Sequence, residues 1–170
     1  MRAEIGLKMG IRLNTLMSDD NQQELLEFLQ REFSITLNDN GLLTQAFTRR
    51  SHFNEPLREV TGNSEDMAFL GDAVLQAAVS EDIYTKGVRN IGVLTSRRKQ
   101  FVSNKKIREI IGPFRLTRFL HSSQGERNIA DSNTKIIATT FEALVGAIFL
   151  DKGYDEAARF VREILMRGSH

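Results

Sequence analysis

Residues 64–79 read SEDMAFLGDAVLQAAV, a helix suited to burial that carries Asp72 in its middle. Every near neighbour of that carboxylate in AFLGDAVL is small or apolar. Burying an unpaired charge is costly, so Asp72 must have a partner, hold a cation or face water. Ser64 is the expected N-cap, with Glu65 and Asp66 in the first turn where the helix dipole favours acids. The helix is predicted to run to Lys86 and stop at Gly87. Glu65, Ala68, Asp72 and Leu75 recur at spacings of three, four and seven, and therefore share one face.

Outward from this stretch the chain reads as helices. NQQELLEFLQREF (21–33) carries Leu25, Leu26, Phe28, Leu29 and Phe33 as one apolar stripe. A shorter helix is predicted over 39–52, followed by a loop, NEPLREVTGN, with proline and glycine. IGVLTSRRKQFVSNKKIREIIG divides into two basic helices around Ser103 and Asn104. PFRLTRFL is predicted as a short helix and HSSQGERNIADSN as a polar loop. TKIIATTFEALVGAIFL (134–150) is mostly apolar, and YDEAARFVREILM closes the chain as an amphipathic helix. The expectation is one all-α domain over 21–166, with an N-terminal extension at 1–20. The terminal RGSH (167–170) reads as an expression-tag remnant.

The apolar stretch 134–150 also holds an isolated acid, Glu142, on a face with Lys135, Ala138 and Thr139. If the two helices cross near Asp72 and Glu142, the carboxylates could share a divalent cation. Oxygen ligands without nearby Cys or His suit Mg²⁺ or Mn²⁺ better than zinc. The alternative is that each acid is separately paired with a lysine or arginine. Pattern alone leaves both open.

Composition narrows the function classes. The chain has 170 residues and no cysteine, which excludes disulfides, thiolate chemistry and Cys-based zinc sites. A reducing, cytoplasmic setting is expected, and no apolar run approaches the length of a membrane span. The three histidines, His52, His121 and His170, have no metal-ligand spacing. Net charge is only +1, yet Arg97, Arg98, Lys99, Lys105, Lys106, Arg108, Arg115 and Arg118 face Glu109 alone in their segment. Such a local excess points to a polyanion-binding surface. Phe28, Phe47, Phe69, Phe101 and Phe141 sit at apolar helical spacings, as core or dimer contacts do.

FLGDAVL (69–75), LTSRRKQFVSN (94–104) and TTFEALVGAIFLD (139–151), preceded by AFTRRSH (46–52), resemble in order and spacing the catalytic domain of ribonuclease III. The resemblance covers about residues 22–165. It implies an all-α endonuclease domain that forms a homodimer and cleaves double-stranded RNA in the valley between protomers, as in RNA maturation. It also implies divalent ions, Mg²⁺ with Mn²⁺ as substitute, among four acids on the two apolar helices. Asp72 and Glu142 match two of those acids, whereas Ala68 and Thr139 stand where the other two are usual. The Mini-III branch shows a similar Ala–Asp and Thr–Glu pairing and is active. The rival reading is a catalytically silent RNA-binding or ribosome-associated relative. In the enzyme reading Asp72 and Glu142 are direct metal ligands and Glu65 an outer acceptor. Thr139 would orient a water, and Lys135 would offset transition-state charge beside the scissile phosphate. Arg97, Arg98, Lys105 and Lys106 would hold RNA phosphates, with Arg49 and Arg50 as lesser candidates.

Overall fold

The computed structural model describes residues 17–52 and 62–166. The extension at 1–16, most of the loop read at 54–63 and the terminal RGSH lie outside the described residues. Among the described residues eight α-helices follow in order: α1 (Asp19–Phe33), α2 (Asn40–Ala46), α3 (Ser64–Thr85), α4 (Ile91–Val102), α5 (Asn104–Ile111), α6 (Gln124–Ile129), α7 (Thr134–Lys152) and α8 (Tyr154–Leu165). Among the described residues the only extended pairing is a single parallel bridge between Thr48 and His121. The domain is all-α, as expected.

Helix α7 is the centre. Ile136, Ile137, Ala138, Thr140, Phe141 and the run Ala143–Ile148 are all buried, so it is covered around most of its circumference. A helix apolar on all sides needs neighbours on all sides, and α2, α3, α5 and α8 supply them. Helix α1 buries its predicted stripe through Leu25, Phe28, Leu29 and Phe33. Phe33 then links the outer helices to the core, with ring centroids 4.8 Å from Phe114 and 5.7 Å from Phe160.

Four local expectations are corrected. Ser64 is the first helical residue, and the cap is Asn63, whose extended backbone lets its side chain accept the N–H groups of Glu65 and Asp66. The helix expected over 39–52 stops at Ala46. There the chain turns to pair with a distant segment: His121 N–H donates to the Phe47 carbonyl and Arg49 N–H to the His121 carbonyl, both at 2.8 Å. PFRLTRFL forms two short 3₁₀ turns, Gly112–Phe114 and Leu116–Phe119, separated by Arg115 in the left-handed region (φ 52°). The polar segment 121–133 contains α6, which has no apolar periodicity. It is held by the Ser123 cap and by an ion pair from Glu126 to Arg49 at 2.8 Å. The break between the two basic helices falls where expected. Ser103 is extended there and caps α5 by accepting the Lys106 N–H.

Candidate cation site at the crossing of α3 and α7

Two glycines bring α3 and α7 into backbone contact. A Cβ on Gly71 would overlap the Glu142 carbonyl and lie 2.8 Å from the Gly146 nitrogen. One on Gly146 would lie 2.6 Å from the Met67 carbonyl oxygen. Because Met67 meets Gly146 while Gly71 meets both Gly146 and Glu142, the helices run antiparallel. Asp72 follows Gly71 directly and so stands at the edge of the crossing beside Glu142. This proximity is visible electrostatically: burial first, and then the charge of Asp72, push the Glu142 carboxyl up from its ordinary value of 4.5 to about 7.

Among the described residues neither Asp72 nor Glu142 has a lysine or arginine partner, so the structure does not support separate ion pairs. Asp72 Oδ2 instead accepts a hydrogen bond from the Gln76 carboxamide at 2.8 Å. Thr139 lies one turn before Glu142, half-buried. Its hydroxyl has no hydrogen-bond partner among the described residues, whereas neighbouring Thr140 bonds back to the Ile136 carbonyl at 2.7 Å. Lys135 is exposed on the same face, about 10 Å along the axis from Glu142 by helical rise.

Glu65 does not join this group. Its carboxylate pairs with Arg49 at 3.0 Å and accepts the Arg50 N–H and the Ser64 hydroxyl, each at 3.1 Å. The same guanidinium reaches Glu126, so Arg49 clamps α3 to α6 with only 12% of its side chain exposed. Those pairs leave little of the Arg49 guanidinium open to a phosphate, whereas Arg50 is largely exposed, 3.9 Å from Asp66. Among the described residues no cluster of three or more His, Cys, Asp or Glu is placed to hold a metal. The donor set at the crossing is thus two partly buried carboxylates, Asp72 and Glu142, without a cationic side-chain partner among the described residues, a set that suits a single divalent cation better than the fuller acid shell. The groove of about 740 Å³ lined by Phe101, Lys105, Ile110, Phe114 and Leu165 contains neither acid.

The basic helices divide into distinct roles. Arg97 and Lys105 are exposed, with no ion pair among the described residues. Lys106 is paired with Glu109 at 2.9 Å. Arg98 is half-buried and turns inward, its guanidinium 3.4 Å from the Ser80 hydroxyl on α3. The rings of His52 and His121 lie 5.8 Å apart, a proximity their spacing in sequence conceals. Of the phenylalanines singled out, Phe28, Phe47 and Phe141 are buried and Phe101 packs at the core's edge. Phe69, three residues before Asp72, is 84% exposed.

A family model described as Ribonuclease-III-like matches residues 39–168. The chain belongs to the ribonuclease III family. Ribonuclease 3 of Chloroflexus aurantiacus is 39% identical over 138 residues, 78% of this chain and 56% of that protein. Ribonuclease 3 of Bdellovibrio bacteriovorus is 32% identical over 149 residues, 86% of this chain and 62% of that protein. The chain thus spans less than two thirds of the length of these curated relatives. The nuclease domain of ribonuclease III from Campylobacter jejuni superposes with a TM-score of 0.71 at 28% identity, covering 83% of this chain and 99% of that domain. That domain shows structural flexibility in a region involved in dimer formation.

The coupling of the two acids has a measurable consequence. Between pH 4.5 and 7 the folded, metal-free protein retains a proton on Glu142 that the unfolded chain has released. Stability therefore falls as pH rises through this window. Glu142→Gln cannot titrate, so the wild type should lose about 2 kcal/mol relative to the variant across the window, after allowance for partial exposure. Urea unfolding of both proteins in EDTA at several pH values measures this difference.

Proposed function

We propose that this chain is a divalent-metal-dependent endoribonuclease that cleaves double-stranded RNA as a homodimer. The observation that carries the reading is the unneutralised Asp72–Glu142 pair at the helix crossing of a ribonuclease III family member. Asp72 and Glu142 would hold Mg²⁺, or Mn²⁺ in its place. Bound there, the cation supplies the Lewis acidity that phosphodiester hydrolysis needs at neutral pH. Thr139, whose hydroxyl has no hydrogen-bond partner among the described residues, orients water at the site. Lys135 offers positive charge on the same face to the phosphate undergoing attack.

Arg97 and Lys105 suit phosphate contacts in a shape-reading mode, because the segment has few aromatics to stack on bases. Arg98 contributes from a position held by Ser80, and Lys106 must share its charge with Glu109. The dimer reading is supported by Phe69, whose ring stands exposed on α3 with Ala73 and Ala77 along the same face. It is supported also by the dimer-forming region of the Campylobacter jejuni domain.

Binding to a short RNA duplex, followed by fluorescence anisotropy in Ca²⁺ or EDTA across a salt series, tests the RNA surface. Affinity should fall steeply with salt. Arg97→Glu combined with Lys105→Glu should flatten the log–log slope by about two, one per lost phosphate contact. Salt-insensitive binding would remove the basic helices from the RNA surface. The replacement of two acids by Ala68 and Thr139 favours the silent RNA-binding relative as the second reading, which metal-dependent cutting would exclude.

A further inference from the structure

We propose that Gln76 is a positioning residue of the cation site, orienting Asp72 where acids are absent at positions 68 and 139. The inference rests on reading Asp72 and Glu142 as a cation site, and it assigns a role to a side chain outside the acid pattern. Gln76 lies one turn after Asp72 on α3, and its Nε2 donates to Asp72 Oδ2 at 2.8 Å. Among the described residues this is the one side-chain hydrogen bond that Asp72 makes. The terminal torsion of an aspartate is broad and weakly restrained. A donor fixed on Oδ2 sets the carboxylate plane and leaves Oδ1 uncommitted. Ala68 has only a methyl group to offer, so no acid from the preceding turn shares the task.

The chemical identity of the donor supports the role. On the same helix Asp82 has Lys86 four residues later, an ion pair at 2.9 Å. Asp72 has at that spacing a neutral carboxamide. A lysine at 76 would neutralise Asp72 and compete with a metal ion. A carboxamide orients the carboxylate and leaves its charge available. Holding a long glutamine side chain in one rotamer costs conformational entropy, and a hydrogen bond to an ionised acceptor is strong enough to offset it.

Mn²⁺ titration of the full chain at fixed pH, followed by electron paramagnetic resonance, tests the proposal alongside thermal melting. Gln76→Leu should weaken Mn²⁺ binding about tenfold, as loss of a ligand-orienting partner does, with melting in EDTA unchanged. Gln76→Ala supplies a second donor-free variant should leucine perturb folding. Gln76→Lys should abolish measurable binding. Unchanged affinity in the donor-free variants, with binding lost in Asp72→Asn, would overturn the role of Gln76 and leave the cation site standing. Affinity and melting temperature falling together would reduce Gln76 to a structural contact and overturn the proposal too. A wild type that binds no Mn²⁺ would overturn both. Binding through Asp72 and Gln76 without RNA cleavage would remove the nuclease reading and sustain this one.

Discussion

Asp72→Asn is expected to lose metal-dependent cleavage of duplex RNA by about a thousandfold or more, equivalent to roughly 4 kcal/mol of transition-state stabilisation. It should do so without loss of fold. Asparagine is nearly isosteric, and its side-chain oxygen can still accept from Gln76. Removing the charge also removes the repulsion that, with burial, drives Glu142 to about 7. The metal-free variant should therefore melt no lower than the wild type. Had Asp72 been half of a buried ion pair, the same substitution would cost on the order of 3–5 kcal/mol. Single-turnover cleavage and thermal melting of one preparation separate the two situations.

Phe69→Glu is the second large effect. An isologous interface uses each residue twice, so one substitution removes two phenyl rings and adds two carboxylates. Burial of each ring stabilises by about 1.5–3 kcal/mol. The dimer dissociation constant should therefore rise by roughly 10²- to 10⁴-fold. Sedimentation over a concentration series reads this directly. Phe69 is 84% exposed and leaves the core untouched, so the variant should fold and keep its own Mn²⁺ affinity. A wild type that sediments as one chain throughout the micromolar range would contradict the dimer.

The long helices were legible because α3 and α7 announce themselves as apolar runs around isolated acids. Their crossing was legible only as a condition. What realises it is the fit of Gly71 and Gly146 against backbone of the other helix, and no helical periodicity encodes that match. Glu65 shows the limit of face arguments. It shares a face with Asp72, yet Arg49, from the segment after α2, takes its carboxylate. Tertiary ion pairs between segments distant in sequence leave no trace in spacing. The same clamp explains α6, a polar helix stabilised from outside itself. Gln76 was in plain view four residues after Asp72. Its significance depends on Asp72 having no lysine or arginine partner among the described residues and on the hydrogen bond it accepts from Gln76, which only the packed structure reveals.

Incubation of the wild-type chain with long duplex RNA, in parallel with Mg²⁺, with Mn²⁺ and with EDTA, tests the assignment of Asp72 and Glu142 most directly. The proposed cation site on these two carboxylates predicts discrete fragments with either metal and none in EDTA. Intact duplex in all three, at protein concentrations that bind the RNA fully, would contradict the endonuclease and leave an RNA-binding member of the family.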